Sequence, residues 1–176
     1  MTHTQQKFVL IIGSVREGRI GPKVAEWFLQ HMRSRDADFE VVDLAHPSDT
    51  RTSAVLASAD GFVVVTPEYN HSYPGELKIL IDAHREEWKK KPVTFVSYGG
   101  MSGGLRAVEH LRAVFAELYS VGTRNGVVIH APWDHLVDGT LELDDATVTS
   151  ARAAMDELTW WAELLKPARV ADQGAA

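Results

Sequence analysis

The feature that most restricts the fold is a set of short, largely apolar segments, several of which end sharply at glycine or proline. The first segment, residues 7–13, reads KFVLIIG and is apolar at every position from 8 to 12. A strand with one face in water alternates apolar and polar residues, so this pattern predicts a strand buried on both faces, as in parallel sheets. Four later segments predict the remaining strands: 39–44, 61–66, 92–97 and 126–130.

Segments with apolar residues at helical spacing lie between these strands. Pro22 opens the first of them, because proline suits the first turn of a helix, and the glycine pair 103–104 precedes another. Residues 74–84 are predicted to form a helix whose apolar residues cover more than one stripe. Residues 145–165 are predicted to form the last helix, with Asp144 as its N-cap.

Five strands that alternate with helices through short loops require right-handed crossovers and a doubly wound parallel sheet. The predicted fold is therefore an α/β, flavodoxin-like three-layer sandwich with strand order 2-1-3-4-5. We expect one domain over residues 1–167 and a disordered tail over 168–176, and we interpret the lysines at 89–91 as a solvated helix end. In such sheets the ligand binds beyond the carboxyl ends of the strands, between the first and third strands.

Composition excludes several kinds of function. The chain has no cysteine, so disulfides, thiolate nucleophiles and cysteine metal clusters are impossible, and any redox chemistry must come from a cofactor. A net charge of −6 argues against a nucleic-acid-binding protein. The polar residues 1–7 lack the core of a secretory signal, and no apolar run is long enough for a membrane span, so we expect a cytoplasmic protein. The eight histidines lack paired-ligand spacing, and we expect no metal.

The loop after the first predicted strand, GSVREGRIG at 13–21, has the components of a phosphate site. It offers backbone N–H groups at a helix N-terminus, the hydroxyl of Ser14 and the guanidinium groups of Arg16 and Arg19. It lacks the Gly-Lys-Ser/Thr ending of a Walker loop and the glycine spacing of the dinucleotide fingerprint. The alternative is an ordinary turn with solvated arginines.

Two further loops follow the third and fourth predicted strands. The first, TPEYNHSYPG at 66–75, combines two prolines with aromatic and amide side chains that could bracket a flat ring. The second, SYGGMSGG at 97–104, has glycine pairs that would let a planar ligand approach the backbone closely. Taken alone, the loop at 66–75 could be an ordinary turn, and the loop at 97–104 could be a flexible connector. Together the three loops favour a mononucleotide with an aromatic head.

These loops resemble those of the NADPH-dependent FMN reductases, a family of flavodoxin-like fold that also includes quinone, azo and chromate reductases. The resemblance covers about residues 7–121 and lies in three motifs. They are GSxR at 13–16, the very specific TPEYNxSxPG at 66–75, and SxGG at 97–100 followed by GGxRA at 103–107.

The resemblance implies that Ser14 and Arg16 bind the phosphate of FMN, that residues 67–70 line its ribityl chain and ring, and that Gly99 and Gly100 lie beside the isoalloxazine. FMN would carry the chemistry, so no catalytic side chain is expected. The residues predicted to bind the cofactor are Ser14, Arg16, Arg19, Ile20, Gly21, Pro67, Glu68, Tyr69, Asn70, Ser97, Tyr98, Gly99 and Gly100.

The chain departs from the family pattern at two places. Arg19 stands where many members have serine, so it either replaces a hydroxyl contact with a charged one or swings outward. Ile79 and Ala83 stand where many members have asparagine and tryptophan, on the helix that the resemblance implies to be a dimer interface. Because the apolar residues of this helix cover more than one stripe, we expect a homodimer or a tetramer.

The expected function is hydride transfer from NADPH or NADH through bound FMN to a small-molecule acceptor, such as a free flavin, a quinone, an azo compound or an oxidised metal ion. The main alternative is a non-enzymatic electron carrier of the flavodoxin type. The phosphate loop of such carriers is rich in serine and threonine and usually lacks arginine, whereas this loop contains Arg16 and Arg19. A flavin-binding regulatory module without turnover is a third possibility.

Overall fold

Six parallel strands form the central sheet of the computed structural model, which describes residues 5–32, 37–46 and 49–173. The sheet has the order β2-β1-β3-β4-β5, with β6 also paired to β4, so the predicted order and fold class are confirmed. The strands are β1 Gln6–Ile12, β2 Ala37–Asp43, β3 Gly61–Pro67, β4 Pro92–Gly99, β5 Val121–Gly122 and β6 Val127–His130.

The fifth position of the sheet is shared by two short strands. β5 pairs with the first two residues of β4, and β6 pairs with its last four residues, Val96 to Gly99. Between them the chain leaves the ladder, and the hydroxyl of Thr94 donates to the Asn125 carbonyl at 3.1 Å. The sequence predicted a single strand at 126–130, because a two-residue strand is too short to produce an apolar pattern.

Five helices cover the two faces of the sheet: α1 Gly21–Met32, α2 Asp49–Ser58, α3 Gly75–Ala83, α4 Leu105–Glu117 and α5 Asp145–Gln173. Alternate residues of β1 point to opposite layers. Phe8, Leu10 and Ile12 pack with α1 and α5, whereas Val9 and Ile11 pack with α2, α3 and α4. This two-sided burial is the reason that the strand is continuously apolar. No helix in the described part of the chain is long and apolar enough to cross a membrane.

The last helix begins as the sequence predicted but ends later. The carboxylate of Asp144 accepts a hydrogen bond from the Thr147 N–H at 2.8 Å, which confirms the predicted N-cap. The helix continues through Pro167 to Gln173, so the predicted disordered tail is wrong for residues 168–173, and residues 174–176 lie outside the described residues. Arg169 explains the extension, because it donates to Asp60 at 2.7 Å and to the Lys90 carbonyl at 3.1 Å.

A small insert separates β6 from α5. It consists of a 3₁₀ turn at Pro132–His135 and an antiparallel hairpin formed by β7 Leu136–Val137 and β8 Thr140–Leu141. Asp138 and Gly139 form the hairpin turn with positive φ angles of 48° and 78°, a conformation that suits an Asp-Gly pair. The Lys23 side chain of α1 donates to the Gly139 carbonyl and holds the hairpin against that helix.

Lys91 is buried rather than solvated, so the interpretation of the lysine run is wrong at this position. Its ammonium donates to the carbonyls of Leu56 and Ala57 at 2.7 and 2.8 Å, near the C-terminus of α2, where a helix leaves carbonyls unpaired. Burial, aided by the nearby positive charge of Arg169, lowers the pKa of Lys91 to about 8.

This burial predicts a pH-dependent contribution to stability. Between pH 8 and pH 10.5 the unfolded chain binds more protons at Lys91 than the folded chain does, so stability rises with pH in this window. We expect the unfolding free energy of the wild type to gain about 2 to 3 kcal/mol relative to Lys91→Met across it. Denaturant unfolding of both proteins at several pH values measures this gain.

Lys89→Met is the matched control, because it removes a less buried lysine two positions away that pairs with Glu86. A pH dependence lost equally in both variants would assign the effect to net charge rather than to the buried ammonium. If the unfolding free energies of the wild type and Lys91→Met changed with pH in the same way, the prediction would be contradicted.

Candidate functional site

Three loops meet at the carboxyl edge of the sheet. Loop 1 (residues 13–20) follows β1, loop 2 (68–74) follows β3, and loop 3 (100–104) follows β4. Because β1, β3 and β4 are adjacent, the loops lie side by side, and the chain leaves β1 and β3 toward opposite faces of the sheet. The Gly13 N–H donates to Val65 at 2.9 Å and the Glu68 N–H donates to Tyr98 at 3.0 Å, which joins each loop base to the next strand.

Loop 1 contains a buried hydroxyl, that of Ser14, which makes no well-formed hydrogen bond within the described residues. Ser14 is fully buried, and no donor or acceptor among the described residues meets its Oγ in hydrogen-bond geometry, although the Tyr98 hydroxyl is close. A Cβ at Gly21 would overlap Ser14 Oγ and come within 2.9 Å of the Tyr98 hydroxyl. Glycine at the start of α1 therefore leaves room for this polar cradle. Burial raises the pKa of the Tyr98 phenol, so the phenol stays protonated.

The two arginines of loop 1 have different roles. Arg19 forms a bidentate pair with Asp43 at the end of β2, with N–O distances of 2.5 and 2.7 Å, and its Nη1 also donates to the Ser14 carbonyl at 2.7 Å. The hydrogen bond to Asp43 raises the pKa of Arg19. Arg19 thus braces loop 1 through Asp43 and the Ser14 carbonyl. Arg16 is exposed, and its guanidinium stacks on the Tyr69 ring, 3.6 Å from the centroid.

Loop 2 is held in a tight turn. The backbones of Tyr69 and Ser72 exchange two hydrogen bonds, of 2.8 and 3.0 Å. Asn70 and His71 lie between them with positive φ angles of 51° and 68°. Asparagine and histidine are both enriched in this left-handed conformation, which still costs free energy and persists because the surrounding contacts impose it. The turn places Tyr69 beneath Arg16.

Glu68 connects loop 2 to loop 3. Its carboxylate accepts hydrogen bonds from Ser102 Oγ at 2.5 Å, from the Arg106 N–H at 3.1 Å and from Arg106 Nη1 at 2.7 Å. Burial favours the neutral acid, but the donors of Ser102 and Arg106 outweigh it and lower the pKa of Glu68. The side chain therefore stays ionised and is occupied in joining the two loops.

Loop 3 depends on its glycines. Gly103 and Gly104 have φ angles of 58° and 93°, and a Cβ at Gly104 would lie 2.7 Å from Ser97 Cβ and 2.8 Å from the Tyr98 nitrogen. The hydroxyl of Ser97 donates to the Gly103 carbonyl at 2.9 Å, so it is used within the loop. A Cβ at Gly100 would meet nothing within 4 Å. Loop 3 is therefore packed at 103–104 and open at Gly100.

Several contributors to the site had no role assigned from the sequence. Asp43 and Ser102 had no motif signal, and Arg106 was present in the GGxRA motif without an assigned partner. His130, at the end of β6, contacts the Gly100 carbonyl through its Nδ1 at 3.3 Å. Each of these residues acts through a contact between distant segments, so local pattern carries no sign of it. The arrangement suits a ligand with an anionic end at loop 1 and a flat end between loops 2 and 3.

The packing of loop 3 predicts opposite outcomes for two glycine substitutions. Gly104→Ala forces a side chain into a left-handed residue and against the backbone of Tyr98, so we expect a loss of about 2 to 4 kcal/mol in unfolding free energy. Gly100→Ala enters open space and should change stability by less than about 0.5 kcal/mol. Thermal and denaturant unfolding of the ligand-free proteins measures both, and equal stability of the two variants would contradict this account of the loop.

Comparisons with known proteins agree with this geometry. The family model described as NADPH-dependent FMN reductase matches residues 6–134. An NAD(P)H-dependent FMN reductase of Schizosaccharomyces pombe is 34% identical over an alignment of 160 positions that covers 77% of this chain and 78% of that protein. An FMN-dependent NADPH-azoreductase of Staphylococcus haemolyticus is 29% identical, over 79% of this chain and 85% of that protein.

Solved structures share the fold at lower sequence identity. The flavoenzyme NAD(P)H:(acceptor) oxidoreductase FerB of Paracoccus denitrificans superimposes with a TM-score of 0.73 at 22% identity, covering 91% of this chain and 98% of that chain. An NADH:FMN oxidoreductase in its apo form gives a TM-score of 0.72 at 21% identity, covering 91% and 90%. The three loops, the match of the family model over most of the chain and the identity to the fission yeast protein together show that this chain belongs to the NADPH-dependent FMN reductase family.

Proposed function

We propose that this protein binds FMN across the three loops and catalyses the oxidation of NADPH or NADH with transfer of the electrons to a small-molecule acceptor. The observation that carries the proposal is the unpartnered hydroxyl of Ser14, buried in loop 1 beside the N-terminus of α1. Family membership supports the same conclusion, because relatives carry the names FMN reductase and azoreductase.

The residues of loop 1 fit a phosphate group. The hydroxyl of Ser14 is a hydrogen-bond donor that is already shielded from water. The N-terminus of α1 contributes a partial positive charge. The exposed guanidinium of Arg16 can bind an anion through two N–H groups. Arg19 is occupied by Asp43, so its part is to hold the Ser14 carbonyl and the shape of the loop. The backbone of Ile20 and Gly21, at the helix start, completes this end of the site.

The residues of loops 2 and 3 fit a flat ring. Tyr69 and Asn70 belong to a rigid turn, and the open backbone at Gly100 allows close approach of a planar group. Bound FMN would supply the chemistry, accepting a hydride from the nicotinamide and returning the electrons to the acceptor. The protein's own part is to hold the two ends of the cofactor and leave one ring face open. If donor and acceptor use this open face of the ring in turn, the kinetics are ping-pong and many acceptors can react. The candidate acceptors are flavins, quinones, azo compounds and oxidised metal ions.

A test of this function uses purified protein and two measurements. FMN titration followed by fluorescence quenching should saturate below about 10 µM, equivalent to about 7 kcal/mol of binding free energy. The holoprotein should then oxidise NADPH or NADH faster when a quinone or free FMN is added. A flavodoxin-type carrier would bind FMN without this turnover, and a protein with no saturable FMN binding would defeat the proposal.

Arg16 is the residue whose substitution tests the phosphate site. Arg16→Ala removes a charge-assisted hydrogen bond, a loss of about 1.5 to 3 kcal/mol, so the Kd for FMN should rise by roughly tenfold to a hundredfold. Riboflavin has the same ring without the phosphate, and its Kd should change little. Arg16→Lys should restore binding only in part, because a point charge replaces a planar fork.

Arg152→Ala is the matched control, since it removes an exposed arginine from α5, far from the three loops in the chain. Equal weakening of FMN and riboflavin by Arg16→Ala, or no change in either, would remove Arg16 from the phosphate site.

The exposed face of α3 supports a proposed homodimer. Ile79 is 70% exposed beside a groove of about 430 Å³ that is lined mainly by apolar side chains. The residues lining this groove are Val42, Leu44, Thr52, Glu76, Ile79, Leu80, Ala83 and His84. A second copy related by twofold symmetry would bury the same face on both subunits.

Light scattering should therefore give at least twice the 19.5 kDa chain mass. Ile79→Glu places a charge in this face and should shift the protein toward monomer, whereas Val170→Glu, at an exposed apolar residue of α5, should not. A strict monomer at micromolar concentration, or equal dissociation of the two variants, would refute the interface.

A further inference from the structure

Glu68 joins loops 2 and 3 more completely than an ordinary surface ion pair would. Its side chain is only 8% exposed, and it accepts three hydrogen bonds from Ser102 and Arg106. Its backbone N–H also donates to the Tyr98 carbonyl at 3.0 Å. One residue of loop 2 is thus attached through both its backbone and its side chain to β4 and to the segment that follows it.

The same residue packs against the end of β4, where loop 3 begins. A Cβ at Gly99 would be 3.6 Å from Glu68 Cβ and 3.4 Å from the Gly104 nitrogen, so residue 68 packs directly against the start of loop 3. The residues after it, Tyr69 and Asn70, belong to the turn of loop 2, and the open Gly100 directly follows Gly99 in loop 3. The position of Glu68 therefore fixes the separation between the two loops that flank the ring site.

The chemistry of the donors makes this separation rigid. Arg106 lies in the first turn of α4, where its backbone N–H points toward an anion at the helix N-terminus, and its guanidinium adds a second contact to the same carboxylate. Ser102 binds from loop 3 itself at 2.5 Å. A carboxylate held by donors from a loop and a helix cannot shift without breaking charge-assisted bonds in a largely dehydrated place.

We infer that Glu68 is a positioning residue for the flavin ring, which acts through Ser102 and Arg106 to hold the gap between loops 2 and 3 at the width of a planar group. This inference rests on the proposed FMN site and adds the part of that site that sets ring affinity. It assigns ring recognition to the Glu68 contacts and phosphate recognition to loop 1, so the two can be weakened separately.

The experiment measures the Kd of riboflavin and of FMN for three variants, with flavin fluorescence as the readout. Glu68→Gln keeps the side-chain shape and removes the charge, Arg106→Gln removes the guanidinium but keeps the backbone donor, and Ser102→Ala removes one hydroxyl. Each should weaken riboflavin and FMN by the same factor, about tenfold or more for Glu68→Gln. The double variant Glu68→Gln/Arg106→Gln should weaken binding by less than the product of the single effects, because both substitutions break the same contact.

Glu86→Gln is the matched control, because it removes an exposed carboxylate that pairs with Lys89. These two residues precede the amino end of β4, at the opposite edge of the sheet from the three loops. The control variant should bind both flavins as the wild type does. Thermal unfolding of the ligand-free variants checks that they fold, and Ser102→Ala serves as the mildest change should Glu68→Gln not fold.

Unchanged riboflavin binding in Ser102→Ala and Arg106→Gln would overturn the inference, even if Glu68→Gln weakened riboflavin binding, because Glu68 would then not act through Ser102 and Arg106. A wild type that binds neither flavin would overturn the proposed function and this inference together, whereas a wild type that binds both, with unaffected variants, would overturn the inference alone.

Discussion

The structure depends on the burial of β1 on both faces. Phe8, Leu10 and Ile12 pack into one helical layer, and Val9 and Ile11 pack into the other. Burial on both faces requires helices on both sides of the sheet, so the helices alternate with the parallel strands and cross over both faces. The polar groups needed for function are then confined to the edges of the sheet. Loops 1, 2 and 3 meet at the carboxyl edge.

The coupling of these loops to one another turns that edge into a shaped site. Arg19 ties loop 1 to β2 through Asp43, and Glu68 ties loop 2 to loop 3 through Ser102 and Arg106. Strained or glycine-dependent backbone accompanies the second connection, at His71 in loop 2 and at Gly104 in loop 3. Such strain persists only where surrounding contacts impose it, and it is characteristic of positions that must present backbone to a ligand.

Elements without a strong local signal were the ones that sequence reasoning missed or misread. α2 is polar over much of its length and β5 has only two residues, so neither produces an apolar period. Lys91 was interpreted as solvated because it belongs to a run of lysines, and residues 168–173 were predicted to be disordered because they follow Pro167 near the end of the chain. In the fold they meet at the amino edge of the sheet, where α2 offers unpaired carbonyls to Lys91 and Asp60 pairs with Arg169.

The sequence by itself determined the main strands, their order and the three motif loops, because these depend on apolar continuity and on glycine and proline within a few residues. The tertiary structure decided what the charged residues do. Arg19 meets Asp43 across 24 positions, and Glu68 meets Ser102 and Arg106 across 34 and 38, so their partners depend on which strands become neighbours. Local pattern shows that a loop can hold an anion. Only the packed sheet shows that Arg19 is paired with a carboxylate while Arg16 stays exposed, because the pairing depends on β2 lying beside β1.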